Sequence, residues 1–287
     1  MLGRRSLLLG AAGTLAAPAL LRAQTGRKTI KVALAPSQPT QAETRKVWEP
    51  LYRMVCDRIG ANIHLTVAND WASVSVAIGS EQADLAQLGP WGYVLAKNSS
   101  GTRVINVMLI GGKPIYHGLI VARADLKLEK FPEDAKGMSM QMLDTGSTTG
   151  WMVPTHYFRS RGIEPKTYFG RYAEGASAAA ALMATINGQV DLATGWDTHR
   201  NTMIKNGLMR ADANKIVWQS EPLPNEPIVV RKSMDEETAR ALQSAFNNLT
   251  PDELKALPYP YTGFATTTDE PYAVLETMGR DLGVLKV

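Results

Sequence analysis

The sequence of 287 residues has a single cysteine, Cys56, and this scarcity excludes an internal disulfide and a thiol-rich metal site. Its four histidines show no metal-ligand spacing such as HExxH. A GxSxG nucleophile elbow, a P-loop and a GxGxxG loop are also absent from the sequence. Cys56 follows Val55 on an apolar helical stripe, which is typical of a core position rather than of a nucleophile. We therefore predict a protein that is not an enzyme and requires neither a metal nor a cofactor.

Long hydrophobic runs are equally scarce, because only one apolar stretch, from Leu7 to about Leu21, stands out. Arg4 and Arg5 precede it, and a small-residue pattern similar to a cleavage site ends it. We interpret residues 1–23 as an export signal, and the adjacent arginines favour the twin-arginine type. The alternative is an N-terminal membrane anchor, which the short run rich in alanine and glycine disfavours.

Excess positive charge is also lacking once that segment is set aside. The formal net charge is +4, and removal of residues 1–23 takes away three arginines, which leaves +1. Such a balance gives no electrostatic basis for binding nucleic acid. No later segment has the length of a transmembrane helix. We therefore expect a protein that is exported to the periplasm, is soluble there and has no nucleic-acid partner.

Strand and helix patterns alternate through the first half of the chain. Residues 28–35, 63–67 and 83–88 have the alternating or apolar character of strands. Apolar stripes of helical spacing lie between them, at residues 44–59 and 71–78. This alternation is typical of an α/β fold with a largely parallel sheet.

The pattern restarts in the second half. Apolar strands at 118–122 and 138–142 precede a further helical stripe. The segment NGQVDLAT, residues 187–194, is similar to SEQADLAQ, residues 80–87, because both combine a polar turn with a strand that begins Asp-Leu-Ala. We interpret the two halves as lobes of equivalent architecture, followed by a mostly helical C-terminal third, residues 235–287.

The segment DTGSTTGWMVP, residues 144–154, places three hydroxyls between two glycines where a strand ends and a helix begins. The first backbone N–H groups of a helix have no internal partner and lie at the positive end of its dipole, so they bind anions. The hydroxyl triplet, Ser147, Thr148 and Thr149, adds donors for the oxygens of an oxyanion. A plain N-cap by Ser147 is the alternative, and the spacing alone leaves both interpretations open.

Aromatic residues follow the ends of two strands in the first half. Trp91 and Tyr93 come directly after the third strand, and Trp71 follows the second. Open α/β sheets bind ligands at the carboxyl ends of their strands. We therefore expect these three side chains to line a ligand cleft, with packing in the core as the alternative for each.

Two polar residues of the second half are further candidates for the same cleft. Asp197 follows a strand and Trp196, where it could accept a hydrogen bond from a protonated ligand oxygen or pair with a ligand amine. A turn residue or helix cap is the alternative for Asp197. His156 lies about two turns into the helix after the hydroxyl triplet, where it faces either the cleft or the surface.

Four segments in the same order resemble a known family, the substrate-binding proteins of ABC importers for phosphonates, phosphite and related phosphorus oxyanions. The DTGSTTGWMVP segment is similar to the family's STSG-x-x-VP run, and GPWGYVLA, residues 89–96, to a strand-end segment. NGQVDLAT, residues 187–194, is similar to the stretch before the second-lobe loop. IVWQSEPLPNEPIVVRK, residues 216–232, resembles the run that leads back across the hinge.

The resemblance implies a type II periplasmic-binding-protein fold, in which two α/β lobes are joined by a hinge of two crossing strands. The crossing strands would lie near Tyr116–Val121 and Ile228–Arg231. Lobe 1 would comprise residues 28–118 with 231–287, and lobe 2 residues 119–230. Ligand would bind between the lobes, and closure about the hinge would trap it.

The resemblance also implies a function and roles for the candidate residues. The protein would be a periplasmic solute-binding protein that captures a phosphonate or related phosphorus oxyanion and delivers it to an inner-membrane ABC permease, as a monomer. Ser147, Thr148 and Thr149 would hold the oxyanion. Trp71, Trp91 and Tyr93 would form the part of the cleft wall that belongs to the first lobe.

The chain departs from the family pattern in the region that would hold a ligand amine, and the usual amine partner is missing. Where the aminoethylphosphonate-type pattern has GHE, with a glutamate that can pair with the ligand's ammonium, this chain has EGASAAAAL, residues 174–182. Where the family has TNN-T, this chain has TGWD, residues 194–197. Glu174 and Asp197 are the candidates for replacing that glutamate. The departure disfavours aminoethylphosphonate and leaves phosphite, methylphosphonate, phosphate and other substituted phosphonates open.

Three other functions remain open on the sequence alone. The same fold could bind a sulfonate, an amino acid or a thiamine precursor. The chain could instead be a sensor subunit that reports ligand occupancy to a membrane kinase, or an exported enzyme.

Overall fold

The computed structural model of the protein describes residues 27–38 and 40–285. The expected export signal, residues 1–23, lies outside the described residues. Across the described ranges, no helix combines the length and apolar character that a membrane crossing requires.

Strands and helices alternate along the described chain. In chain order, the strands are β1 (Thr29–Leu34), β2 (Asn62–Val67), β3 (Leu85–Gln87), β4 (Arg103–Ile110), β5 (Ile115–Tyr116), β6 (Gly118–Arg123), β7 (Ser139–Leu143), β8 (Arg171–Ala176), β9 (Leu192–Trp196), β10 (Asn214–Gln219), β11 (Leu223–Pro224), β12 (Pro227–Val230) and β13 (Tyr261–Thr266). The α-helices are α1 (Gln41–Arg58), α2 (Trp71–Gly79), α3 (Pro90–Ser100), α4 (Val153–Arg159), α5 (Pro165–Tyr168), α6 (Ala178–Ile186), α7 (Asp197–Lys205), α8 (Glu236–Asn247), α9 (Pro251–Lys255) and α10 (Ala273–Asp281). A π-helical turn (Thr148–Met152) leads into α4, and 3₁₀ turns occur at Glu133–Ala135 and Glu270–Tyr272.

Two sheets of mixed direction form the centres of two lobes. The first has the order β13-β4-β12-β3-β1-β2, in which β1 is parallel to β2 and β3, whereas β12 and β13 run antiparallel to β4. The second has the order β10-β6-β9-β7-β8, in which β7 is parallel to β8 and β9, whereas β6 runs antiparallel to β9 and β10. The largely parallel sheet expected from the alternation is therefore present in the centre of each lobe, with antiparallel strands added.

A two-stranded antiparallel ribbon, β5 with β11, connects the lobes. Its second strand lies earlier in the chain than the crossing expected at Ile228–Arg231. The reason is that β12 is fully buried and pairs with both β3 and β4, so it is a central strand of the first sheet. The sheet pairing thus places residues 227–230 with lobe 1, whereas the expected boundary grouped them with lobe 2.

The C-terminal third contains one strand that the sequence interpretation did not include. Strand β13 adds to the edge of the first sheet between α9 and α10. Its Tyr261 packs against Trp48 of α1, with ring centroids 5.3 Å apart.

Helix α1 illustrates how the sequence determines an element of this fold. A capping box of Thr40 and Glu43 satisfies backbone N–H groups at the start of α1. Its inward face buries Trp48, Tyr52 and Cys56 against the first sheet and α8. Cys56 is fully buried, and this burial raises the pKa of its thiol to about 12. The core position expected for Cys56 is thus the observed one.

Candidate functional site

The hydroxyl triplet lies at the start of the π-helical turn that follows β7. Ser147 is the N-cap residue, and its Oγ accepts a hydrogen bond from Gly150 N at 3.1 Å. The backbone N–H groups of Thr148 and Thr149 occupy the first two helical positions and have no hydrogen-bond partner among the described residues. Single π-helical turns occur frequently at functional sites. The segment therefore combines a helix cap with two available backbone donors.

The same segment touches the other lobe at the start of α3. Thr148 Oγ1 accepts a hydrogen bond from Trp91 N at 2.9 Å. Trp91 Nε1 donates to the carbonyl oxygen of Thr145 at 3.2 Å. Since Trp91 belongs to lobe 1 and the hydroxyl triplet to lobe 2, the lobes are in contact here.

The start of α2 makes a second contact between the lobes. Asp144 Oδ1 accepts a hydrogen bond from Ala72 N at 3.3 Å, and the negative carboxylate lies at the positive end of the α2 dipole. Gly146 packs so closely that an added Cβ would lie 2.4 Å from Ala72 N. The lobes are therefore closed on each other around the hydroxyl triplet.

A cavity of about 220 Å³ lies between the lobes at this place. Its lining residues are Trp71, Gly89, Tyr116, Ser147, Thr148, Thr149, Trp196 and Glu226. The hydroxyl triplet thus faces the inside of the cleft, together with side chains from lobe 1 and from the hinge. The cavity is small, so it suits a ligand of few atoms.

Glu226 is the one residue among the cavity's lining that has an ionisable carboxyl, and the lining includes no lysine or arginine. Its Oε2 accepts hydrogen bonds from Gln87 Nε2 at 2.6 Å and from the Tyr261 hydroxyl at 3.3 Å. Burial raises the pKa of Glu226 to about 7, while these two hydrogen bonds oppose the rise. Near neutral pH, Glu226 can therefore donate a proton or accept one within the cavity.

Two tryptophans, one from each lobe, line the cavity and contact each other. Trp71 comes from the start of α2 in lobe 1, and Trp196 from the end of β9 in lobe 2. Their rings meet edge to face, with centroids 6.0 Å apart and an interplanar angle of 89°. Tyr116, from hinge strand β5, adds a buried phenol. Its pKa lies above the ordinary range because it is buried, so this phenol is a neutral hydrogen-bonding group.

Trp91 and Tyr93 were expected in the cleft wall, but neither is among the residues that line the cavity. The reason is that α3 begins at Pro90, so both belong to its first turn, from which Tyr93 packs into lobe 1 and the Trp91 indole reaches Thr145 beside the cavity. The Tyr93 hydroxyl donates to Asp269, and its ring packs edge to face on Tyr272. The backbone N–H of Trp91 contacts the cavity lining at Thr148 Oγ1.

Asp197 and His156 also lie apart from the cavity lining. Asp197 is the first residue of α7, where its Oδ1 accepts from Thr198 N at 2.7 Å and its Oδ2 lies 3.1 Å from His117 Nδ1. His156 Nε2 lies 3.1 Å from Asp281 Oδ2, a contact between α4 and α10. The carboxylate of Asp197 is thus engaged by Thr198 and by His117 at the hinge, and His156 is engaged across the lobes.

Glu174 is likewise remote from the cavity. Its Oε1 accepts hydrogen bonds from Trp151 Nε1 at 2.8 Å and from the Tyr172 hydroxyl at 2.6 Å. These contacts hold it on β8, at the edge of the second sheet.

Sequence reasoning missed Tyr116 and Glu226 as cavity residues. Tyr116 belongs to the hinge ribbon and Glu226 follows its second strand, so the sequence pattern indicates only a chain crossing at both places. The available signal was Glu226 itself, a carboxyl directly before a strand that is apolar throughout, Pro227–Val230. An acidic residue at the start of a buried strand is uncommon unless it has a partner or a role.

Comparison with known proteins relates this arrangement to a family. A family model described as the periplasmic substrate-binding protein of phosphonate ABC transporters matches residues 32–272. The phosphate-import protein PhnD of Mycolicibacterium smegmatis is 25% identical over 233 residues, which are 76% of this chain and 71% of that relative.

Two solved structures have a similar fold. A binding-protein component of a Pseudomonas aeruginosa ABC phosphonate transporter has a TM-score of 0.80 at 22% identity, covering 88% of this chain and 85% of that one. The PhnD1 protein of Prochlorococcus marinus in complex with methylphosphonate has a TM-score of 0.79 at 17% identity, covering 90% of this chain and 99% of that one.

Proposed function

The chain belongs to the family of periplasmic substrate-binding proteins of phosphonate ABC transporters, and we propose that it captures a phosphonate-class oxyanion in the cavity between its lobes. The resemblance inferred from the sequence motifs is thereby confirmed, as is the type II fold with two α/β lobes. The observation that carries the proposed ligand class is the composition of the cavity. The hydroxyl triplet and a buried carboxyl line one small cavity whose lining includes no lysine or arginine.

Neutral donors would hold the oxyanion. The N–H groups of Thr148 and Thr149 lie at the positive end of the helix that follows, and the three hydroxyls and the Tyr116 phenol add further donors. Such donors are effective in a closed cavity, because little water competes for the ligand oxygens. A wrong ligand then binds more weakly, because it leaves donors or acceptors of the cavity without a hydrogen-bond partner.

Glu226 would favour a phosphorus oxyanion that carries a proton. An ionised carboxylate beside an anionic ligand is repulsive, so the pair is stable only when it shares at least one proton. A phosphonate monoanion has a P–OH group that can donate to Glu226. A sulfonate has no such proton at neutral pH, so it would bind only where Glu226 has itself taken up a proton from solvent. Glu226 is thus our candidate for selecting phosphonates over sulfonates.

Because the family serves ABC transporters, the protein would deliver the captured ligand to an inner-membrane ABC permease. We further propose that residues 1–23 direct export of the protein to the periplasm. There it would act as a monomer and would catalyse no reaction.

Calorimetric titration of ligand-free protein tests the proposal directly. The panel comprises methylphosphonate, phosphite, phosphate, aminoethylphosphonate and methanesulfonate. We expect binding of at least one small phosphorus oxyanion, with methanesulfonate bound at least roughly tenfold more weakly. Tight binding of methanesulfonate with no response to any phosphorus ligand would refute the proposed ligand class.

Isosteric variants test the role of the hydroxyl triplet. Thr148→Val with Thr149→Val removes two hydroxyls and retains the side-chain shape, so we expect affinity to fall by roughly tenfold or more. Thr155→Val is the matched control, because Thr155 is a buried threonine of α4 that donates to Trp151 O and does not line the cavity. Equal effects of the double variant and the control on affinity would count against the assigned role.

A further inference from the structure

A buried chain of hydrogen bonds runs from the core of lobe 1 to the carboxyl in the cavity. The Tyr52 hydroxyl of α1 donates to Gln87 Oε1 at 3.1 Å. Gln87, the last residue of β3, donates in turn from Nε2 to Glu226 Oε2 at 2.6 Å. Tyr52 and Gln87 are both buried, and neither lines the cavity. Glu226 is therefore held by side chains that a ligand in the cavity would not touch.

The Tyr52 hydroxyl fixes the direction of this chain. Burial holds the pKa of the phenol well above its ordinary value, so the hydroxyl keeps its proton. Among the described residues, that proton has Gln87 Oε1 as its one acceptor. A rotated Gln87 amide would turn Nε2 towards Tyr52 and leave the hydroxyl proton without an acceptor, which is unfavourable in a core. The amide nitrogen of Gln87 therefore faces Glu226.

The two carboxyl oxygens of Glu226 have different surroundings. Oε2 accepts from Gln87 Nε2 and from the Tyr261 hydroxyl, and these two hydrogen bonds occupy its lone pairs. Oε1 has no hydrogen-bond partner among the described residues, yet it does not belong to the buried polar atoms without a partner, so it keeps accessible surface. A proton on Glu226 therefore resides on Oε1, the oxygen that remains available.

The ionisable neighbours of Glu226 are uncharged near neutral pH. Four of them are buried phenols, from α1, β5, β13 and the 3₁₀ turn before α10: Tyr52, Tyr116, Tyr261 and Tyr272. Burial holds the pKa of each phenol above its ordinary value. Burial also lowers the pKa of His199 of α7, which lines a neighbouring cavity with Glu226, to about 4. Hydrogen bonds from neutral donors thus oppose the effect of burial on Glu226.

We propose that Gln87 is a positioning residue for ligand binding, which ties Glu226 Oε2 to lobe 1 and presents Oε1 to the oxyanion. The proton that carboxyl and ligand share then lies between Oε1 and one ligand oxygen, and this orients the phosphonate group relative to the hydroxyl triplet. Because Gln87 donates to the charged carboxylate, it also limits the proton affinity of Glu226. This inference rests on the proposed function, since the shared proton requires an oxyanion in the cavity.

Gln87→Met tests the assignment, because methionine keeps the length of the side chain and cannot donate. Loss of the donor should raise the pKa of Glu226 further. Calorimetry from pH 6 to 9 gives the ratio of the variant's methylphosphonate affinity to that of the unsubstituted protein, and the titration of the ligand cancels in this ratio. We expect the ratio to rise by roughly tenfold over that range. A ratio that is independent of pH would overturn the positioning role.

Gln243→Met is the matched control. Gln243 is a half-buried glutamine of α8, also in lobe 1, that donates to Ile105 O at 2.8 Å and does not line the cavity. We expect the affinity ratio of this variant to stay constant with pH. An equal rise in both variants would show that the effect does not come from the hydrogen bond to Glu226.

Tyr52→Phe approaches the same hydrogen bond from the core. The substitution removes the proton that orients the Gln87 amide and leaves Glu226 and the cavity lining unchanged. We expect the affinity ratio to rise with pH in the same direction as for Gln87→Met, by a smaller factor. A constant ratio in this variant would exclude Tyr52 as the group that orients Gln87.

Urea unfolding of the ligand-free proteins separates this inference from the proposed function. The contribution of Glu226 to stability is lost as pH rises through its folded pKa, about 7 in the unsubstituted protein. In Gln87→Met we expect this loss to continue to higher pH, whether or not a ligand binds. A loss that ends at the same pH in both proteins would refute the role of Gln87. An extended loss in a protein that binds no methylphosphonate would instead contradict the proposed function.

Discussion

Glu226 is the residue whose environment differs most from that of an ordinary surface carboxyl. It is only 6% exposed, and its folded pKa of about 7 exceeds the ordinary value of 4.5. Between these two values the folded state binds the proton more strongly than the unfolded state. The contribution of Glu226 to stability therefore decreases as pH rises from 4.5 to 7, and it is constant at higher pH.

We expect Glu226→Gln to remove this pH-dependent term. Relative to the unsubstituted protein, the variant should gain stability as pH rises from about 5 to 8, by roughly 2–3 kcal/mol in total. Urea unfolding of both proteins at several pH values measures the difference, in which other titrating groups cancel. A difference that does not change with pH would show that Glu226 titrates normally.

The same carboxyl predicts how binding depends on pH. On the proposal that Glu226 and the bound oxyanion share a proton, affinity for methylphosphonate should decrease above about pH 7. The ligand's own titration contributes to this decrease, so the comparison with Glu226→Gln isolates the part due to the protein. We expect a shallower pH dependence in the variant by calorimetry. Parallel curves for the two proteins would argue against a shared proton.

Some cavity residues could be identified from the sequence and others could not. The difference is whether the pattern that marks a residue is local in the chain or depends on contacts with distant segments. Ser147, Thr148 and Thr149 were identified because strand, glycines, hydroxyls and helix are adjacent in sequence. Tyr116 and Glu226 join the same cavity only through the pairing of β5 with β11 and the burial of β12. Those contacts are set by tertiary structure, and no local pattern reports them.

At the scale of elements, the alternation of strands and helices was predictable because buried strands and amphipathic helices have distinct apolar periods. The expected β1, β2, β3, β6 and β7 are all present. Strand β8 was missed since it is an edge strand with mostly exposed side chains and no apolar run. The orientation of Trp91 and Tyr93 was missed because it depends on the residue at which α3 begins.

The contact between the hydroxyl-triplet segment and α2 predicts the effect of a single methyl group. In Gly146→Ala, the new Cβ would lie 2.4 Å from Ala72 N and 2.6 Å from Ala72 Cα, so α2 has to move away. Because both atoms belong to the backbone of the other lobe, we expect impaired closure and roughly tenfold weaker methylphosphonate binding, with each lobe still folded. Calorimetry and thermal unfolding measure the two effects.

Gly79→Ala in α2 is the control for that substitution. An added Cβ there meets the flexible Ser100 side chain at 3.4 Å, and alanine favours the helix. Equal affinities of the Gly146→Ala and Gly79→Ala proteins would mean that closure does not require the close approach at Gly146.

At the scale of the whole molecule, contacts between the lobes are distributed around the cleft. They include the pair of His156 with Asp281 and the Lys205 ammonium 3.7 Å from the centre of the Tyr259 ring. Such contacts between polar surfaces are individually weak, so a bound ligand should contribute much of the stability of the closed form. The two-lobed fold was predictable from repeated architecture, whereas these contacts depend on how the lobes meet.

We therefore expect the protein to become more compact when it binds ligand. Small-angle scattering should record a smaller radius of gyration at saturating methylphosphonate than without ligand. The Thr148→Val, Thr149→Val double variant should need a roughly tenfold higher ligand concentration to show the same decrease. Identical radii for the unsubstituted protein with and without bound ligand would rule out a hinge motion on binding.

The burial of Cys56 also has a practical use. Its thiol is enclosed in the core and is protonated at neutral pH, so a thiol-reactive dye would leave it unmodified in the folded protein. A cysteine introduced at an exposed residue of the cleft rim, as in Lys205→Cys, would then be the single labelling position. A polarity-sensitive fluorophore attached there would turn the protein into an optical sensor for the molecule that it captures.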